Sequence, residues 1–142
     1  MRNLNQIRLN GKVTSGDIAA TEEALGCQFT DEYKHFLETY NGGLFSEQVF
    51  EFDDDETNVI FLGINGEKDL VQINTLYKEK LPSGLVAIGM DPGGDLVCLS
   101  LRNNTKDRVY YWRAEEEPRK IENLALVSES FNSFLEILEV DD

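Results

Sequence analysis

Apolar residues recur along this chain with two periods, and the switches between them mark out its elements. The stretch "TSGD" (14–17) fits a capping box and predicts a helix start, with Gly26 as its left-handed stop. A second helix opens in "FTDEYKHFLETYNGG". Thr30 is its expected N-cap, and Asp31 and Glu32 sit where the helix dipole favours anions. Tyr33, Phe36, Leu37 and Tyr40 follow i, i+3, i+4, i+7 and share one face. Asn41-Gly42-Gly43 stops that helix.

The period then shortens. Residues 49–52 ("VFEF") and 58–64 ("NVIFLGI") read as strands, the second buried on both faces, with the acidic turn Asp53-Asp54-Asp55-Glu56 between them. Leu70, Ile73 and Tyr77 return to helical spacing, and Pro82 closes that element. "LVAIGM" and "LVCLSL" are strands flanking "DPGGD". Asp91 is expected at position i of a turn, Pro92 at i+1, and Gly93 at i+2 of a type II turn with positive φ, followed by Gly94 and Asp95. A third strand, "RVYYW" (108–112), follows. "SESFNSFLEILEV" then places Phe131, Phe134, Leu135 and Leu138 on one helical face. The order predicts an α+β fold in a single domain over 1–142, a largely antiparallel sheet flanked by about four helices.

Composition adds little until charge is counted. The 142 residues are 41% hydrophobic and include eight Phe, five Tyr and one Trp, enough for a core without disulfide staples. No apolar run reaches spanning length, and the N-terminus carries no apolar leader segment. Cys27 and Cys98 lie far apart and read as reduced thiols, so a cytoplasmic location is expected. Against 13 Lys and Arg stand 27 Asp and Glu, a net charge of −14. Such a field repels phosphate backbones and attracts a basic protein, although plain solubility accounts for it too.

The acids cluster. Glu47, Glu51, Asp53, Asp54, Asp55 and Glu56 fall in one stretch without a base, and a second stretch runs from Ile121 to Asp142. In the latter, Glu136, Glu139, Asp141 and Asp142 sit at a helix C-terminus, where the dipole prefers cations. Stability alone would not place them there. The expected partner-binding residues are therefore Asp53, Asp54, Asp55, Glu56, Glu47 and Glu51. The acids Glu115, Glu116 and Glu117 join them, and Trp112 is either core or an aromatic anchor.

Signals of catalysis are weak. "DPGGDL" lacks the graded oxygen spacing of a calcium loop, and no G-K-[ST] follows its glycines. His35, the only histidine, lies about 200° around its helix from Tyr33, off the apolar stripe. No G-x-S-x-G elbow is present. No catalytic residue, metal ligand or cofactor is expected.

The segments "FTDEYKHFLETYNGG", "AIGMDPGGDLVCLSL", "VYYW" and "VSESFNSFLEIL", in this order and at these separations, resemble the SUKH superfamily. The likeness runs from about Asp17 to Leu138. Matching positions are Tyr33, Phe36, Leu37, Asn41, Gly42, Gly43, Gly89, Gly94, Asp95, Trp112, Ser130, Phe131 and Phe134. Phe29-Thr30 and Arg113-Ala114 depart from the Leu-Pro and Asp-His common in such proteins. The resemblance implies an α+β binding domain of the Smi/Knr cell-wall regulator or bacterial immunity type. The immunity type binds and neutralises a cognate toxin, commonly a nuclease of a polymorphic secretion system. The matching residues are core and turn positions, so they speak for the fold and not for the partner.

Overall fold

A computed structural model describes residues 1–66, 68–114 and 124–141. Its elements run β1 (Gln6–Arg8), α1 (Ser15–Leu25), α2 (Asp31–Tyr40), β2 (Leu44–Phe45), β3 (Glu47–Phe52), β4 (Asp55–Asn58) and β5 (Ile60–Phe61). They continue α3 (Leu70–Leu76), β6 (Leu85–Met90), β7 (Leu96–Ser100), β8 (Val109–Trp112), β9 (Leu124–Ser128), α4 (Phe131–Ile137) and β10 (Glu139–Val140). The fold is α+β with antiparallel pairing between all these strands. A five-stranded sheet has the order β5-β6-β7-β8-β9, a three-stranded one β10-β3-β4, and β1 pairs with β2. No described helix is long and apolar enough to cross a membrane.

The apolar stripe of α2 builds the core. Tyr33 and Phe36 are fully buried and meet Phe131 of α4 at ring-centroid distances of 5.3 and 5.1 Å. Phe36 also meets Phe61 at 4.8 Å, and Phe134 meets Phe50 at 5.4 Å. The helix stripes and the sheets thus share one aromatic centre. Capping follows the sequence closely at α1, where Thr14 and Asp17 bond reciprocally and Gly26 takes the left-handed conformation.

Three expectations need correction, and a fourth holds in position only. Thr30 is the N-cap of α2, but its hydroxyl makes no capping bond; it donates to Asp107 Oδ1 at 2.6 Å, while Asp107 Oδ2 accepts the Phe131 amide. One carboxylate so ties the starts of two helices. The 58–64 run is not one strand, because β4 ends at Asn58 and β5 is only Ile60–Phe61. Leu62 and Ile64 are buried as irregular backbone: Leu62 N–H bonds Ile88 O, and Ile64 bonds the Asn41 side chain.

The β6–β7 turn also differs. The Gly94 amide donates to Asp91 O, and the positive φ of 96° belongs to Gly94, not Gly93. This is a type I turn with a glycine bulge, not a type II turn, and at Gly93 an added Cβ would make only ordinary contact, 3.5 Å from Asp91 Oδ1. The demand for glycine moves one residue. Finally, the last helix stops at Ile137, and Glu139–Val140 turn into a strand paired with β3.

The acids after α4 do not go uncompensated. Arg2 Nη1 donates to the carbonyls of Leu135, Glu136 and Leu138, at 2.7, 3.3 and 2.8 Å. A guanidinium from the other end of the chain supplies the cation that the helix terminus prefers.

Candidate functional site

The three-stranded sheet has one face on the core and one on solvent. Phe50 and Phe52 of β3 point inward, 2% and 7% exposed, so their neighbours Val49 and Glu51 point outward. Cross-strand register sets Glu51 opposite Glu56, Val49 opposite Asn58, and Glu139 beside Val49. Asp141 accepts a bond from Asn58 Nδ2 at 2.9 Å. The two acidic stretches, distant in sequence, are therefore one surface. At its centre lies a depression of about 270 Å³ bounded by Val49, Phe50, Glu51, Glu56, Ile137 and Glu139. Val49, Phe50 and Ile137 line it together with the three carboxylates. Ile137 and Val140 remain 43% and 55% exposed. Two like charges placed directly across a ladder weaken it. The fold gains nothing from Glu51 opposite Glu56.

The tip of this hairpin tells the same story. Asp53 and Asp54 have φ of 46° and 65°, both left-handed, between the paired residues Phe52 and Asp55. That is a two-residue type I′ turn, for which Asn-Gly is the favoured sequence. Asp tolerates the conformation less well and adds repulsion. The acidic turn thus has a turn role for two of its four carboxylates, while Asp55 and Glu56 belong to β4. Replacing Asp53-Asp54 by Asn-Gly should stabilise the fold by about 1 kcal/mol. The check is the urea midpoint at constant m-value, and an unchanged or lower midpoint would remove the argument that these acids are kept at a cost.

Behind the tip the "DPGGD" turn is locked in place. Tyr111, 4% exposed, stacks on Phe52 at 3.9 Å. Its hydroxyl lies 2.5 Å from Asp91 Oδ2 and 2.7 Å from Asp95 Oδ2. Thr57 Oγ1 of β4 donates to the same Asp91 oxygen at 3.2 Å. The other oxygens are also occupied: Asp91 Oδ1 accepts the Asp95 amide, and Asp95 Oδ1 accepts the Ala114 amide. Arg113 reaches Asp55 at 3.8 Å with its guanidinium over the Phe52 ring. Asp91 and Asp95 are committed to the turn and to Tyr111, which holds the sheet under the acidic hairpin. Each of their four oxygens accepts at least one bond within this cluster.

Burial and the two facing carboxylates push the Tyr111 hydroxyl well above the ordinary phenol range. Desolvation does the same to Tyr33 and Cys98, and lifts Cys27 to about 11. All four groups are held neutral in the fold and ionise more easily unfolded, where thiols titrate near 8.5 and phenols near 10. Their contribution is complete below pH about 8 and is lost as pH rises above it, at up to about 1.4 kcal/mol per pH unit per group. The thermal midpoint should be flat from pH 7 to 8 and fall steeply between about 9 and 11. In Cys98→Val the first part of that fall should become about half as steep, with Cys27 supplying the remainder. A midpoint constant to pH 11 would contradict the burial of these groups.

The structure gathers some expected binding residues and removes others. Glu51, Asp53, Asp54, Asp55 and Glu56 are exposed on the face just described. Glu47 is corrected. It is 4% exposed, and its two oxygens accept the Asn5 amide and side-chain Nδ2 at 2.9 and 3.0 Å, so it fastens the N-terminal segment and cannot contact a partner. Trp112 is corrected likewise: fully buried, it meets Tyr77 edge-on at 6.0 Å behind the sheet, as core and not as an anchor. Glu115, Glu116 and Glu117 lie outside the described residues, as does Asp142. Asn41 and Gly42 close α2, Gly43 bridges to Phe61, Gly89 packs under Val59, and Ser130 caps α4 through the Ser133 amide. His35 is exposed on α2. Sequence reasoning missed the joining of Glu139 to Glu51 and Glu56, and Ile137 at its centre. The only signal was the β-compatible "LEV" after the helix.

A model of the SMI1 / KNR4 family (SUKH-1) matches residues 12–137. No curated protein is similar enough to the chain to be matched with it.

Proposed function

The chain belongs to the SMI1 / KNR4 family (SUKH-1), and from that premise we propose that it is an immunity-type binding protein. It occludes a basic, nuclease-type toxin stoichiometrically, in the cytoplasm, and acts by binding without catalysing a reaction. It needs no cofactor and contacts neither nucleic acid nor membrane. The observation that carries this reading is the β10-β3-β4 face, where Glu51, Glu56 and Glu139 line a depression together with Val49, Phe50 and Ile137.

That arrangement has the anatomy of an interface: an apolar centre, a charged rim, and a rigid sheet beneath. The rim charges steer a cationic partner and set its register, while Ile137, Val49 and Val140 supply surface to desolvate. A nuclease must present cations to hold a phosphate backbone. A carboxylate-rimmed face competes for those same cations and blocks the path of the nucleic acid. The hairpin tip at Asp53-Asp54 extends the acidic surface beyond the sheet.

The test is co-expression with a toxin encoded beside this gene. The expected result is survival of the host and a 1:1 complex that co-elutes and abolishes toxin activity. Survival lost with Glu51→Lys, in a protein of unchanged thermal midpoint, assigns the protection to this face. A partner that binds but whose activity is unchanged would replace neutralisation with a regulatory scaffold role.

A further inference from the structure

The opposite end of the five-stranded sheet carries a cleft that the acidic face does not use. The β6–β7 turn marks one end of those strands; at the other, Leu85 of β6 pairs with Ser100 of β7. There the end of α1, the tail of α3 and the loop into β6 enclose about 580 Å³. This volume lies in the range of small-molecule sites. Leu25, Leu81, Leu85, Val86 and Leu101 give the cleft aliphatic walls. Cys27 lines it as a neutral thiol, since burial and nearby Glu22 hold the proton on.

Its charge is the reverse of the molecule's. In a chain with 27 acids and 13 bases, no acidic residue among the described ones lines the cleft, and its two charged lining residues among them are Lys78 and Lys106. Both are exposed, and neither is ion-paired or hydrogen-bonded through its side chain to any described residue. Arg102, in the β7–β8 connection, donates to Ser83 O at 2.7 Å and adds a third cation near the mouth. In a chain rich in carboxylates, the fold leaves these two lysines lining a cleft with aliphatic walls.

We infer that this cleft is a binding site for a small anionic amphiphile, a molecule with an apolar chain or ring and one carboxylate or sulfate head. The tail lies along Leu25, Leu81, Leu85 and Leu101, and the head sits between Lys78 and Lys106. A net charge of −14 disfavours any anion at long range, so binding of one has to come from local lysines and apolar contact. A cationic amphiphile would be drawn by the overall field instead. The sign of the preferred head group therefore distinguishes a built site from general adsorption.

The experiment titrates the whole chain calorimetrically with laurate and, separately, with dodecyltrimethylammonium, each below its micellar concentration. The expected result is one laurate bound per chain, at least tenfold tighter than the cation. Lys78→Gln with Lys106→Gln should weaken laurate about tenfold, as two partly exposed charge contacts allow. Ala24 is exposed on α1 and lines the cleft. Ala24→Trp should fill the hollow and abolish binding with the fold intact, as read by the thermal midpoint. Bound laurate should also slow alkylation of Cys27 by a neutral maleimide. Equal or tighter binding of the cation, indifference to the lysine pair, or unchanged Cys27 reactivity in the laurate-bound protein would each overturn the assignment.

Discussion

Gly42→Ala should leave a chain that does not reach this fold. Gly42 has φ of 71°, and a Cβ there would stand 2.2 Å from Leu62 O and 2.7 Å from its carbonyl carbon, both backbone. Nothing at that spot can rotate away. The segment beyond is held just as firmly: Asn41, 1% exposed, accepts the Ile64 amide at 2.7 Å and donates to Ile64 O at 2.9 Å. A methyl group must therefore push α2 off the irregular stretch that leads into α3. Losses of this kind exceed about 4 kcal/mol, a large part of the 5–15 kcal/mol that holds a typical domain. Gly26 is the control. Its φ is 66°, nearly the same, but open space surrounds it, so Gly26→Ala should cost only about 1 kcal/mol. Urea denaturation of both variants separates the two effects. A Gly42→Ala variant as stable as Gly26→Ala would show that the α2 cap has room to move.

This contrast also shows where the sequence was legible. "NGG" reads as a helix stop, and it is one, with Asn41 in the left-handed conformation. That Gly42 is wedged against Leu62, and that Asn41 mimics a strand partner for Ile64, depends on chain that returns some twenty residues later. Local signals worked where the physics is local: the Thr14–Asp17 box, the aromatic stripe of α2, the β6–β7 hairpin. They failed where a distant group supplies the partner. Arg2 at the end of α4, Asp107 between two helix starts, and Asn5 on Glu47 are each more than 20 residues from what they satisfy. Short strands failed for the same reason. Two residues of β10 have no period of their own; pairing with β3 makes them a strand. Charge clustering named the acids of β3 and β4 and those of the C-terminus as two alternatives. The topology makes them one face, and burial withdraws Glu47 and Trp112 from it.

The second large effect concerns that face. Glu51→Gln, Glu56→Gln and Glu139→Gln together should slow association with a basic toxin about tenfold or more at low salt, because charges at an interface act chiefly on the encounter rate. Between 0.1 M and 1 M salt the Debye length falls from about 10 Å to about 3 Å, so the wild-type rate should approach that of the variant as salt rises. Stability should hold or rise slightly, since the Glu51–Glu56 repulsion across the ladder is relieved. Net charge alone has to be separated from position. Glu23, Glu38 and Glu79 are exposed acids on or next to helices and belong to none of the strands β10, β3 and β4, and changing them to Gln removes the same number of charges. Steering by the whole field predicts equal slowing in the two triple variants. Recognition by this face predicts that the helix set changes the rate little while the sheet set carries nearly all of the loss. Adding Ile137→Ser to the sheet set should then raise the off-rate, as the exposed apolar centre of the depression is lost from the contact. Rates for the sheet variant equal to wild type at every salt concentration would take the toxin off this surface altogether.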